Sequence, residues 1–258
     1  MTTDTSIVAS DRKRRWPKVL IGILIAIVIL VIAFFVVDAR LRVYAEGQVS
    51  DQISANLPKS VSGNVDVTIG GASVIAQYLT GSFRQVTLDA PHLTVNGSPV
   101  SAHIVATDLP ADLSKPVGNL KGTISLSQSA LNSLVTVPGS TGGLVLGSGT
   151  ISYNGSISVL GIPIGYEVTV KPVAHGDSVL LTPTSAKVTS GSFGFDLSKT
   201  LSDALGAKPV SVCVAQYLPQ GVSVTNVAIV PGKATVVLDA PNLVLSEKSL
   251  NTKGTCSQ

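Results

Sequence analysis

Residues able to do chemistry are few in this 258-residue chain. Three histidines, His92, His103 and His175, stand apart from one another and from the two cysteines, Cys213 and Cys256, so none has the paired spacing of a zinc site. Gly-x-Ser-x-Gly, His-Glu-x-x-His, Gly-x-x-x-x-Gly-Lys and Gly-x-Gly-x-x-Gly do not occur, which removes the common signatures of serine hydrolases, zinc proteases and nucleotide sites. Asp108 and Asp112 flank a proline in Ala-Thr-Asp-Leu-Pro-Ala-Asp-Leu and read as a solvated turn rather than an acid–base pair. Asn96-Gly97-Ser98 and Asn154-Gly155-Ser156 fit the glycosylation pattern, but Asn-Gly is also the preferred centre of a two-residue hairpin, and the turn is the expectation at both. The sequence therefore points to no catalytic residue, no metal and no cofactor, and to binding rather than an enzyme.

What must position any binding residue is set by apolar patterning. Apolar residues make up 45% of the chain and charged ones 13%, about half the charged share of an ordinary soluble domain. The formal charge of +3 sits entirely at the front: residues 1 to 37 carry five bases against Asp4 and Asp11, while the remainder carries thirteen of each sign. A neutral, aromatic-poor remainder has no basic stripe for nucleic acid.

Val19 to Val37 is nineteen residues without a charge, a helix of about 28 Å against a hydrocarbon core of about 30 Å. Arg12, Lys13, Arg14, Arg15 and Lys18 precede it, so the positive-inside rule predicts a cytoplasmic basic tail over 1–18, a transmembrane helix over 19–37 and everything later outside the cytoplasm. The competing reading is a cleaved signal peptide; against it, nineteen residues exceed an h-region, and Phe34 and Phe35 occupy the place of a small-residue cleavage segment. Outside the cytoplasm, a disulfide between Cys213 and Cys256 is expected, pinning the C-terminal tail; two unpaired thiols are the alternative.

Leu41, Ala45, Val49, Ile53 and Leu57 fall four apart, predicting a membrane-proximal amphipathic helix over 38–58 that stops at Pro58. Beyond it the period changes to two, as in Val65, Val67, Ile69 and Tyr166, Val168, Val170, and 36 valines favour strands. The expected class is β-rich α+β over residues 59–250, followed by a tail over 251–258. Three short helices interrupt the strands: one capped by Ser73 and ended by Gly81 with Val74, Ile75, Tyr78 and Leu79; one capped by Ser127 or Ser129 with Leu131 and Leu134; one starting at Asp196 or Ser198 with Leu201 and Leu205.

The chain also repeats itself. Ala76-Gln77-Tyr78-Leu79 recurs as Ala215-Gln216-Tyr217-Leu218, and Val86 to Leu93 (VTLDAPHL) recurs as Val236 to Leu243 (VVLDAPNL), in the same order. Nine residues separate Leu79 from Leu88 but twenty separate Leu218 from Leu238, which predicts one extra strand and turn in the second copy.

Residues 38 to 58 followed by Val65-Asp66-Val67-Thr68-Ile69-Gly70-Gly71 and Ala76 to Gly81 resemble the opening of the LmeA-like phospholipid-binding domains of actinobacterial cell envelopes. Leu120-Lys121-Gly122 running into Ala130 to Leu134, and Tyr217 to Val224, extend the likeness over about residues 38 to 247. Where the family often carries Pro-Phe after the Gly-Gly turn, this chain has Ala72-Ser73-Val74. The resemblance implies a fold similar to tubular lipid-binding modules, a long curved antiparallel sheet wrapped round a helix, and phospholipid binding in envelope lipid or lipoglycan maintenance.

The residues expected to line an apolar groove are Val74, Ile75, Tyr78, Leu79, Leu131, Leu134, Leu201, Leu205, Tyr217 and Leu218, with phospholipid and the membrane as partners. The alternative is a non-catalytic structural or interaction domain whose β core is filled.

Overall fold

A computed structural model describes residues 16–135, 140, 142–159, 162–190 and 209–256. A single helix, α1 (Trp16–Ala55), runs through the apolar stretch and the segment after it, ending three residues before Pro58. The expected spanning and membrane-proximal helices are thus one continuous rod of 40 residues. Side chains from 19 to 37 are all exposed, whereas Asp38, the first charge after them, is buried.

The remaining described residues are mostly strand, with all pairings antiparallel. Strands β1 (Val61–Ser62) and β2 (Asp66–Ile69) share one edge of β3 (Ser82–Val95). From β3 the sheet continues through β4 (Ser98–Pro110), β5 (Asn119–Ser127), β12 (Lys233–Pro241) and β11 (Ser223–Val230). A second sheet orders β10 (Val210–Cys213), β9 (Ser178–Ser190), β8 (Ile162–His175), β7 (Ile151–Val159) and β6 (Val145–Leu146). Neither described sheet closes into a barrel, and the expected curved sheet resolves into these two. Gly176, in the turn after β8, stitches them together: its N–H and C=O exchange hydrogen bonds of 3.2 and 2.7 Å with Val224 of β11.

Local chemistry explains the punctuation. Asn96 and Gly97 both have positive φ (49° and 80°) between Val95 and Ser98, the paired residues of a two-residue hairpin. The other Asn-Gly corrects the expectation: Asn154 and Gly155 lie inside β7, opposite Glu167 and Tyr166, where cross-strand pairing overrides the local turn preference. Two of the short helices form where expected, α2 (Val74–Thr80) capped by Ser73 and α3 (Gln128–Leu134) capped by Ser127. The third, with Leu201 and Leu205, lies outside the described residues. A further helix, α4 (Glu247–Asn251), precedes the tail, where Cys256 is disulfide-bonded to Cys213.

Both halves of the repeat take related places. The two Leu-Asp-Ala-Pro segments sit in β3 and β12, on either side of the β4–β5 pair, each burying its alanine, Ala90 or Ala240. In β3 the proline falls at a register shift between Ala90 and Leu93; in β12 it ends the strand, the two positions where a missing N–H costs least. The extra residues of the second copy are β11.

The core is thin. Its covered side chains are valines, alanines and a few leucines and isoleucines, and two small clusters among them are Val117, Ala240 and Leu243, and Leu146, Ile229 and Ala234. No Phe or Tyr among the described residues is buried.

Candidate apolar binding site

The apolar volume missing from the core appears elsewhere, as a cavity of about 490 Å³ whose wall is wholly apolar. Four elements build it. Helix α1 presents Leu41, Tyr44, Ala45 and Val49 along one face, β2 presents Val67 and Ile69, and α2 presents Val74, Ile75, Tyr78 and Leu79. Phe83 and Val86 of β3 and Leu109 of β4 complete it. Strand alternation puts Val67 and Ile69 inward while Asp66 and Thr68 face solvent. At the mouth, Tyr44, Tyr78 and Leu79 are 70%, 68% and 78% exposed.

A second stripe on α1 holds the walls together. Asp38, Arg42, Glu46 and Ser50 are spaced four apart, like Leu41, Ala45 and Val49 beside them, so each set forms one row along the helix. Asp38 accepts from the Ser73 hydroxyl at 2.7 Å, from the Ile75 N–H at 2.9 Å and from the Val74 N–H at 3.2 Å. Ser73 in turn accepts from the Ala76 N–H at 3.0 Å, so one carboxylate and one hydroxyl satisfy the free donors at the start of α2. The Ile75 N–H above all, with Ser73, Val74 and Arg42, holds the Asp38 carboxyl below its ordinary value against the opposing effect of burial. Arg42 donates to the Gly71 carbonyl at 2.8 Å and lies 3.8 Å from Asp38.

Further along, Glu46 accepts from the Ile69 N–H at 2.7 Å, and the Ser50 hydroxyl donates to the Val65 carbonyl. These groups lie on the edge of the β2 segment that has no strand partner, so α1 side chains stand in for a neighbouring strand. Gln77, 8% exposed, completes the frame: its amide donates to the Gly70 and Ser73 carbonyls at 2.9 and 3.0 Å and accepts from the Arg84 N–H at 2.8 Å. Gly71 (φ 95°) must be glycine here, since a Cβ would lie 2.8 Å from the Gln77 amide nitrogen.

Of the residues expected from sequence, Val74, Ile75, Tyr78 and Leu79 meet at this cavity. Leu131 packs instead against the Leu146, Ile229 and Ala234 cluster, and Leu134 is half-buried at the end of α3. Tyr217 and Leu218 belong to a short 3-10 turn (Ala215–Tyr217) and the residue after it, with Tyr217 73% exposed. Leu201 and Leu205 lie outside the described residues. The lining expected from sequence leaves out α1, although its Leu41, Ala45 and Val49 row is legible there, and the polar row from Asp38 to Ser50 carries the same four-residue signal.

Two of the polar candidates, Asp112 and His103, are engaged elsewhere. Asp112 accepts from the Ser114 hydroxyl at 2.6 Å and its N–H at 3.1 Å, which hold its carboxyl below the usual value in a turn. His103 pairs with Asp89 directly across β3 and β4. Among the described residues no group of three His, Cys, Asp or Glu is placed to hold a metal ion.

The family model for LmeA-like phospholipid-binding proteins matches residues 36–239. No curated protein and no solved structure matches the chain.

Proposed function

This chain belongs to the LmeA-like phospholipid-binding family, and from that premise we propose that it is a membrane-anchored extracytoplasmic protein that takes phospholipid acyl chains into the cavity between α1, α2 and β2. The observation that carries the reading is the wall itself: thirteen residues, none offering a polar atom to the interior. Such a surface gives water nothing to bond and gives a hydrocarbon chain full contact. At about 490 Å³ the cavity lies within the ordinary size range of small-ligand sites, roughly 300–1,000 Å³. Each buried methylene contributes about 0.8 kcal/mol.

In this reading residues 1–18 are the cytoplasmic tail, 19–37 the single span, 38–58 the cavity-forming collar, 59–250 the binding domain and 251–258 the disulfide-held tail. α1 is long and apolar enough to cross a membrane, which supports the anchor. The role served is maintenance of envelope lipid or lipoglycan, by binding rather than by catalysis.

The test uses the full chain in phosphatidylcholine vesicles that contain phosphatidylcholine with a diazirine at the acyl terminus. Irradiation is expected to label the segment Ser82–Pro110, which lies wholly outside the span and contains Phe83 and Leu109. Ala45→Trp, which fills the cavity, and Leu79→Asp, which makes its exposed mouth polar without touching the core, should each cut that labelling about tenfold. Absence of label in this segment in the unaltered chain would end the proposal.

A further inference from the structure

We infer that the cavity is loaded sideways, straight from the membrane leaflet on the domain's side, with the acyl chain passing along α1 rather than through water; this rests on the reading of the cavity as an acyl-chain site. The spanning segment and the cavity wall are parts of the same unbroken helix. Leu41, the first lining residue, comes four residues after Val37, the last of the uncharged run, and Val49, the furthest, comes twelve after it. At 1.5 Å per residue these lie about 6 Å and about 18 Å beyond the hydrocarbon edge. The headgroup zone is about 5–8 Å deep on each side, so the near end of the cavity lies within it and the far end rises above it.

The exposed side chains fit that placement. Tyr44, Tyr78 and Leu79 are each between 68% and 78% exposed, and all three line the cavity at its mouth. At a bilayer surface the tyrosines take their preferred interfacial position and Leu79 meets acyl chains. Arg40 and Arg42, the first bases after the span, stand at phosphate depth by the same count. Asp38, buried at the junction, locks α2 to the helix there, so the mouth cannot swing away from the span without breaking its three hydrogen bonds.

Two measurements on the full chain test this. A nitrobenzoxadiazole label on Leu79→Cys, in phosphatidylcholine vesicles containing a lipid spin-labelled near the headgroup, should lose more than about half its fluorescence. The same label on Lys233→Cys, at the far end of the sheet, should lose almost none. Next, seven helix-forming residues inserted between Val37 and Asp38 lift the cavity by about 10 Å while nearly preserving its facing. Labelling of Ser82–Pro110 by the diazirine lipid should then slow about tenfold from vesicles, yet match the unaltered chain when the lipid is offered in mixed micelles.

If the insertion variant loads from vesicles as fast as the unaltered chain, or position 79 is unquenched, lipid arrives through solvent and the inference is overturned while acyl-chain binding stands. Cross-linking of position 79 to position 79 of a second copy would replace the membrane by a dimer contact and overturn it equally. If the unaltered chain takes no label from vesicles or micelles, acyl-chain binding itself fails and the inference falls with it.

Discussion

Ala-Gln-Tyr-Leu occurs twice in this protein and ends in two different structures. At 76–79 it is the body of α2, with Tyr78 and Leu79 on a cavity wall; at 215–218 it is a single 3-10 turn beside a disulfide. The four residues are identical, so their propensities cannot make the difference. The neighbours do. Ser73 caps the first copy, Asp38 and the α1 helix receive its leading N–H groups, and Gly81, at φ 78°, closes it with a left-handed turn. The second copy follows Val214, which makes no side-chain cap; its leading N–H groups go to the Asp177 backbone carbonyl, and Cys213 beside it is disulfide-bonded to Cys256. Gln77 is buried and bonded three ways, whereas Gln216 is exposed with one hydrogen bond to the Cys213 carbonyl at 3.2 Å. Packed against α1 the peptide lines an apolar site open at its mouth; in the second copy the same four residues make only a corner.

Removing the covalent anchor is the strongest way to separate the two copies. Cys213→Ser with Cys256→Ser opens a crosslink spanning 43 residues, and loop entropy puts the loss at about 4 kcal/mol. A chemical-denaturation midpoint should fall accordingly while acyl labelling of Ser82–Pro110 persists under native conditions. Loss of labelling would mean that the second copy shapes the cavity after all. Next come the paired glutamines. Gln77→Ala leaves the Arg84 N–H and two carbonyls without their partner and should cost about 1–3 kcal/mol, against less than about 0.5 kcal/mol for Gln216→Ala at the surface. Equal effects would erase the distinction drawn between them.

A smaller effect is expected from Ser73→Ala, about 1 kcal/mol for the lost cap, with weaker acyl labelling because α2 loses one of its three hydrogen bonds to Asp38. Smallest at neutral pH is the titration of Asp38 itself. Its folded value is depressed, chiefly by the Ile75 N–H, so its stabilising contribution is complete above the ordinary carboxylate range and is lost as pH falls through the lower folded value. Labelling measured from pH 7 downward should hold until acid conditions and then decline, and Asp38→Asn should flatten that decline. At the second copy the Val214 and Ala215 N–H groups donate to the Asp177 backbone carbonyl at 3.0 and 2.9 Å, an acceptor that does not titrate, so exchange of those two amides is expected not to share the transition.

Much of the frame could be read from sequence. The uncharged run of 19 to 37 required a long helix, period-two valines required strands, and Ser73, Gly81 and Asn96-Gly97 set their turns through local backbone chemistry. Four of the thirteen lining residues followed as well, because Val74, Ile75, Tyr78 and Leu79 are all on one short helix. Asn154-Gly155 misled because the same dipeptide tolerates a strand when two neighbours pair across it. Tyr217 and Leu218 do not line this cavity, because resemblance to Tyr78 and Leu79 carries no information about what stands opposite.

What the sequence by itself determined is therefore local and periodic: a membrane-length helix, a β-rich domain, its caps and its hairpins, each decided within a few residues by side-chain shape, hydrogen-bonding capacity and apolar spacing. Only the tertiary structure decided that the Leu41 row and the Asp38 row would lie side by side against β2 and α2, making one face of α1 a cavity wall and the next its fastening. That outcome depends on contacts between residues 15 to 37 positions apart, and no short-range preference fixes which surface meets which.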